Sequence, residues 1–599
     1  MYLHSIQIKG FRKLQDVKVI LSNTTFLIGA NNSGKSSILK AIEFLLSDTK
    51  VCNDDFYKST NESASVDEIE LEGEFRGIPQ EAIGDKDWKG FTADRVLRYY
   101  DDVNKKWDYR IFYKKVFTKD GKTHIFMKQH TATPKEKFAS ASTYNDLVDL
   151  GLNLETLQIT EDDILNPIRK SKKIVDNLYQ VSEFWDYSDT EEWFENPGGF
   201  ASNVVSKLPR LLLIPPYDKS EEYNEKKGTL FDILNELFED VRRQSEHYKK
   251  ALEHLKNLEQ EFNPQDSTTE FGKMISELNS IIKVVFPSAN LNAQAQLTSA
   301  DTLKPNYTIE LGSNINTKPQ YQGTGQLRAA VFALLRYKAE RDKQKNSSYR
   351  PLIIGFEEPE LYLHPQAAYQ MKEVIYDLSS KNQIICSTHS PYMIDLSKNH
   401  NQILNKLHIK TNDHIEQVKI IPFNISADYL NLLDEERNYL KMLLKMDDEV
   451  SKIFFSKKVL IIEGDTEEIV IKQYINLLPK GQRDNLLSEW SILKARGKAT
   501  IISVIKYLKA MSFKEIKVMH DLDENTPDAA KFNIPIQNAL DNDANLFPIK
   551  NCIEDLLGYA APIKDKPFMA YKKTLEWNSY DDIPPICRNV FDNIFDISI

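Results

Sequence analysis

TFLIGANNSGKSSILKAIEFLL, residues 25–46, decides the architecture of the first part of the chain. An apolar run ends at Gly29, a second glycine stands at Gly34, and a segment with helical spacing follows Lys35 and Ser36. Gly29-x4-Gly34-Lys35-Ser36 is the full phosphate-loop pattern. Loop glycines let backbone N–H groups curl around phosphate oxygens, and the helix presents its N-terminus to the anion. In that pattern Lys35 reaches the terminal phosphates and the Ser36 hydroxyl ligates Mg2+. Gly29, Asn31, Asn32, Ser33, Gly34, Lys35, Ser36 and Ser37 are therefore the candidate nucleotide-binding residues.

Around this motif lie 599 residues, too many for one core, so two to four domains are expected. With 41% apolar and 28% charged residues the composition is that of a soluble globular protein. The net charge of -11 does not advertise nucleic-acid binding, although a local basic groove can sit inside an acidic total. The cysteines, Cys52, Cys386, Cys552 and Cys587, are far apart and make no zinc-like spacing or disulfide framework. Reduced thiols suit a cytoplasmic protein. MYLHSIQIKGFRK alternates like a strand and lacks the core of a signal peptide. No run approaches the length of a membrane span, so no membrane partner is expected.

Residues 1–219 read as strands around the phosphate-loop helix, with RLLLIPPYD (210–218) as a buried strand stopped by prolines. Residues 220–285 are helical and highly charged, with one face marked by Leu230, Ile233, Leu234, Leu237 and Phe238 and another by Leu252, Leu255 and Leu258. That pattern fits a packed hairpin or a dimerisation or DNA-facing arm. Residues 286–427 resume strands and helices, including PLIIGFEEPE (351–360) and QIICSTHSP (383–391). A helical linker at 428–450 leads into 451–599, which read strand, helix, strand, helix, strand: a second parallel α/β domain.

Glu357 and Glu358 end an apolar strand and suit the acidic pair of an ATP site, one in the Mg2+ shell and one polarising water. GTGQLR (323–328) offers Gly323 and Gly325 in a turn able to meet the γ-phosphate of a second subunit's ATP. His389, after another strand, suits the same phosphate. Phe11-Arg12, GANNSGKSS, GTGQLR, FEEPELYLHP and STHSP together resemble the ABC-type ATPases of the SMC and RecF kind. Such ATPases close two nucleotide sites between two heads, so the resemblance implies a homodimer or higher homo-oligomer. One departure is Gln322, where a serine is common before the signature glycine.

KVLIIEGDTEEIV (458–470) and IKVMHDLDEN (516–525) repeat the same grammar, a buried strand ending in acids. Gly464 permits a sharp turn and Thr466 is placed to cap the next helix, putting Glu467 and Glu468 in its first turn. Asp521 and Asp523, two apart in an extended chain, can point to one side. Carboxylates crowded at strand ends call for divalent cations, and oxygen-only ligands favour Mg2+ or Mn2+. EGDTEE and DLD, with ARGK (495–498) between them, resemble a Toprim domain. The resemblance implies Glu463 as general acid/base or metal-linked carboxylate, and Asp521 and Asp523 as metal ligands. It also implies Glu467 at a second metal and Glu554 as a later acidic ligand. A nuclease needs a cation on the phosphate; Lys566 is the first candidate, with Lys572 and Lys573 as alternatives.

An ABC-type head followed by Toprim resembles the OLD (overcoming lysogenization defect) family, which includes the Gabija nuclease subunit. That likeness implies a metal-dependent DNA nuclease in antiphage defence, regulated by ATP and in some members paired with a helicase or another partner. Its rivals are an ATP-gated DNA-binding clamp with a non-catalytic Toprim scaffold and a Toprim topoisomerase needing a strand-transferring tyrosine. A membrane-transport ATPase fits worst.

Overall fold

The structure, a computed structural model, describes 1–152, 184–216 and 351–599 with short interruptions, together with parts of 233–285 and 310–338. It divides into two compact units, one of Met1–Ile214, Asn346–Glu360 and His364–Ile599, the other of Pro215–Lys345 and Leu361–Leu363.

In the first unit the chain begins with an antiparallel sheet built from β1 (Tyr2–Phe11), β2 (Leu14–Ile20), β4 (Glu68–Arg76), β5 (Leu97–Asp101), β6 (Lys106–Thr118), β7 (Thr123–Pro134) and β8 (Trp185–Glu195). Its order is β2-β1-β4-β6-β7-β8, with β5 on the side of β6. Alternation explains the one-sided core: on β6, Ile111, Tyr113, Lys115 and Phe117 are buried, while Arg110, Phe112 and Lys114 are half-exposed. The buried Lys115 donates from Nζ to Phe44 O at 3.2 Å, and so caps the end of the phosphate-loop helix.

A second sheet is ordered β15-β14-β3-β13-β12-β9. It contains β3 (Thr24–Gly29), β9 (Arg210–Ile214), β12 (Leu352–Glu357), β13 (Gln383–Ser387), β14 (Gln402–Asn412) and β15 (Ile415–Asn424). All its pairs are parallel except β14 with β15. On β3, β12 and β13 all but the terminal residues are buried, the continuous apolar pattern of strands covered on both faces. The helix Lys35–Leu46 packs on both sheets, and Phe44 meets Phe11 and Phe117 edge-on with centroids 5.6 and 6.0 Å apart.

Farther along, a four-stranded parallel sheet runs β17-β16-β18-β19, from β16 (Lys458–Ile462), β17 (Trp490–Lys494), β18 (Ile516–Asp521) and β19 (Leu546–Ile549). The chain leaves β16 for β17 on one side, then crosses to β18 on the other. The strand order therefore reverses between β16 and β18, where crossover helices diverge and leave a crevice at the C-terminal strand ends.

The second unit holds the helices Glu246–Glu261 and Glu270–Val285 and a two-stranded pair, β10 (Leu311–Gly312) with β11 (Asn316–Thr317). Ile233 and Leu237 are buried there, and Leu258 is exposed. GTGQLR, with Gly323 and Gly325, lies outside the described residues. No described helix is long and apolar enough to cross a membrane.

Candidate functional site

Two phosphate-type sites stand at C-terminal strand ends. The first is a cleft over β3, lined among others by Arg12, Asn31, Lys35, Ser36, Ser37 and His389. Gly29 and Gly34 have φ of 153° and 102°, and a Cβ on Gly29 would lie 2.5 Å from Leu407 O. Backbone conformation and space both require glycine there. Lys35 is buried and folds its Nζ onto Gly29 O at 3.1 Å and Ala30 O at 3.0 Å. Burial lowers its pKa, and the charges of Glu358 and Glu360 oppose that. Ser33 Oγ, in the loop between Gly29 and Gly34, is buried with no hydrogen-bond partner.

Opposite Lys35, burial raises the pKa of Glu357, which accepts a hydrogen bond from Ser36; these two share one corner, as a Mg2+ shell requires. Glu358 turns through a left-handed backbone, φ 45°, and its Oε1 stands 3.5 Å from His389 Nε2. Sequence reasoning assigned nothing to Glu360. Its Oε1 accepts from Thr388 Oγ1 at 2.7 Å, His389 N–H at 3.0 Å and Ser390 N–H at 3.2 Å. Glu360 thereby holds the His389 loop against the turn that carries Glu358. Its only signal in the sequence is that it is the third acid of FEEPE.

Because those three donors need an acceptor and not a charge, Glu360→Gln is expected to keep most ATP turnover. Glu360→Ala is expected to lower kcat by about 10- to 100-fold, the range for removing a supporting hydrogen-bond partner. Steady-state phosphate release against ATP concentration checks this; equal losses in both variants would refute the positioning role.

The second site occupies the crevice between β16 and β18. Glu463 follows β16, Asp521 ends β18, Glu467 sits in the first turn of the helix Asp465–Leu477, and Glu554 follows β19. Burial, then the charges of Glu467, Glu463, Asp523 and Glu554, pushes Asp521 up to about 8. Burial also pushes Glu463 up to about 7, with Lys498 pulling against it and Glu467 and Asp523 adding to it. Glu467 is raised by burial and by Glu554, while Lys566 draws it down. Glu463 Oε2, Asp521 Oδ1 and Glu554 Oε1 are buried without a hydrogen-bond partner. Buried acceptors of this kind are costly unless a cation meets them.

These acids do not form a closed cage; among the described residues no three His, Cys, Asp or Glu side chains converge to hold a metal alone. Two are partly engaged. Glu467 Oε2 accepts from Gly464 N–H at 3.1 Å, and Asp523 Oδ2 pairs with Lys498 Nζ at 2.8 Å. An open arrangement suits Mg2+, which keeps waters and takes substrate phosphate oxygens beside one or two carboxylates.

Local geometry differs from the sequence expectation at three points. The chain bends at Glu463 and Gly464 as expected, but Gly464 keeps an extended φ of -151°, so the bend does not demand glycine. Thr466 lies buried inside the helix and does not cap it; the Glu467 side chain meets the free amide because it projects back over the first turn. Nor is the chain extended through Asp523: β18 ends at Asp521 and Asp523 has φ 48°, turned toward Lys498. Lys498, the last residue of ARGK, is buried and also donates to Asn533 Oδ1 at 3.1 Å, which makes it the resident countercharge of the acids. Lys566 acts on Glu467, whereas Lys573 pairs with Glu576 at 2.5 Å and Lys572 lies over the Phe568 ring.

The crowded acids set a stability prediction. Asp521 is charged in the unfolded chain but held largely protonated in the metal-free fold, a cost to stability that Asp521→Asn removes, so the metal-free protein is expected to melt about 2–4 °C higher, the effect of ~1 kcal/mol in a mid-sized domain. The upward shift that Mg2+ gives the parent is expected to shrink in the variant. Calorimetry in EDTA and in Mg2+ checks both; a lower melting temperature in EDTA contradicts the electrostatic account.

Comparison with known proteins agrees with both halves. A sequence model described as AAA ATPase domain matches residues 1–394, about two-thirds of the chain. The chain belongs to this ATPase family. A second model, described as overcoming lysogenization defect protein-like TOPRIM domain, matches residues 454–523, which include β16, β17 and β18. Old nuclease of Escherichia phage P2 is 24% identical over 87% of this chain and 77% of its own length. OLD nuclease of Thermus scotoductus is 22% identical over 94% of this chain and 93% of its own. Endonuclease GajA of Bacillus cereus (strain HuB5-5) is 22% identical over 80% and 71%. An AAA-family ATPase head joined to an OLD-like TOPRIM domain is thus the organisation of this chain, and the two domains point to nucleotide binding and divalent-metal binding.

Proposed function

We propose that the protein is an ATP-regulated DNA endonuclease or nickase of the OLD type that depends on Mg2+ or Mn2+ and acts in antiphage defence. The observation that carries this reading is the group of partnerless buried oxygens on Glu463, Asp521 and Glu554 at the reversal of strand order. The names of the relatives, Old nuclease and Endonuclease GajA, support it.

Asp521, Glu467, Asp523 and Glu554 would hold the metal, with Asp523 exchanging Lys498 for it. A bound divalent cation supplies charge neutralisation and polarises the scissile phosphodiester. Glu463, pushed up to about 7, is suited to take the proton of an attacking water at neutral pH. A P–O bond then forms to the water oxygen, the P–O bond to the leaving sugar breaks, and that oxygen collects a proton. Lys566 offers the cation that steadies the extra negative charge on the phosphate. The ATPase site gates this reaction, two heads meet in a homodimer or larger assembly, and a helicase or other defence partner joins it in the cytoplasm.

Plasmid DNA incubated with Mg2+, Mn2+ or EDTA tests the reading. Relaxed circles, linear product or both are expected with either metal and neither in EDTA. Intact supercoiled DNA in every condition, with and without ATP, would end the proposal.

A further inference from the structure

The helix Lys566–Thr574 presents the wrong face to water. Phe568, Tyr571, Lys572 and Leu575 recur at i, i+3, i+4 and i+7, the spacing that normally marks a stripe packed into a core. Here that stripe is outside: Phe568 is 55% exposed, Tyr571 48% and Leu575 58%. The side turned inward is Ala570 and Thr574, and it packs on the helix Asp465–Leu477, which carries Glu467. The helix that carries the exposed aromatics is thus packed on the one that carries Glu467, and its Lys566 is close enough to Glu467 to draw its pKa down. Exposed aromatic stripes mark contact surfaces.

Charge selects the occupant. Within the helix stand Lys566, Lys572 and Lys573 and no acid, in a chain of net charge -11; Lys573 is paired with Glu576 just beyond it, which leaves Lys566 and Lys572. Lys572 Nζ lies 4.7 Å from the centroid of the Phe568 ring, so aromatic face and cation are interleaved. A flat π surface alternating with lysines fits unpaired bases and their phosphates, since every base has a face to stack and a phosphate to neutralise.

We propose that Phe568 and Tyr571 form a stacking platform for unpaired bases next to the scissile phosphate, and that Lys572 holds the adjoining backbone. The inference rests on the nuclease reading for its location, and it predicts a preference for DNA with single-stranded or frayed character at the cut. Stacking is worth enough per base that Phe568→Ala/Tyr571→Ala is expected to bind single-stranded DNA about 10- to 100-fold more weakly.

The test is anisotropy of a fluorescent single-stranded oligonucleotide and of its duplex, titrated with the full chain carrying Asp521→Asn so that cleavage is suppressed during the titration. Binding does not need the cleavage chemistry, so a failed nuclease assay and a failed platform remain distinguishable. The double variant should lose single-strand affinity more than duplex affinity. Phe568→Trp/Tyr571→Trp should restore it, and the fluorescence of the introduced indole rings should fall on adding DNA. Trp107→Ala, an aromatic 58% exposed on the N-terminal sheet, should bind as the parent does. Unchanged single-strand affinity in the double variant overturns the proposal. So does a drop in oligomer size with DNA binding intact, which would assign the stripe to a second copy of the chain.

Discussion

Asp521→Asn and Glu463→Gln are each expected to cut metal-dependent DNA cleavage by on the order of 10³-fold, the scale for losing one acid–base or charge-stabilising group. The two residues flank the same crevice, and the charge of Glu463 adds to burial in raising the pKa of Asp521. They act as one unit, so the double variant is expected to be no slower than the slower single, as with other interdependent catalytic groups. ATP binding should be unchanged, because the nucleotide cleft lies over β3 and contains neither residue. First-order rates of supercoil loss, with fluorescent-ATP binding in parallel, provide the check. Parental cleavage by both single variants would remove these residues from the chemistry.

Lys35→Ala and Glu358→Gln are expected to separate binding from turnover in the other site. Lys35 is the buried cation of the phosphate loop, now resting on two loop carbonyls that a phosphate would displace. Its loss should weaken ATP binding by about 10²-fold or more, since several charge-assisted contacts go at once. Glu358→Gln should bind ATP as the parent does yet hydrolyse it about 10²-fold more slowly, because an amide cannot polarise water as a carboxylate does. If ATP gates the nuclease, Lys35→Ala removes the effect of ATP on DNA cleavage and Glu358→Gln prolongs it. Equal ATP affinity in Lys35→Ala and parent, by anisotropy of a labelled analogue, would contradict the assignment.

Much of this is legible in the sequence, for a physical reason. Phosphate binding uses backbone amides, so LIGANNSGKSS must carry glycines at fixed local spacing, and the pattern survives in one dimension. Glu357, Glu358, Glu463 and Asp521 were readable because parallel strands are buried on both faces, and an acid ends such a run only where the strand leaves the sheet at its C-terminal end. Turn geometry was less readable. Gly464 does sit in a bend, but with an extended φ of -151° that any residue adopts, and Asp521 and Asp523 suggested one extended strand where the chain already curls.

What the sequence determined by itself is the pair of phosphate chemistries and the strands that carry them, since both depend on short-range patterns. What only the tertiary structure decided is which groups meet across long separations. Glu360 gathers the His389 loop, Lys498 reaches Asp523, and Lys566 faces Glu467. It also decided which side of the helix Lys566–Thr574 is wet. Spacing alone places Phe568 and Tyr571 in a core, and only the packing of Ala570 and Thr574 turns them outward.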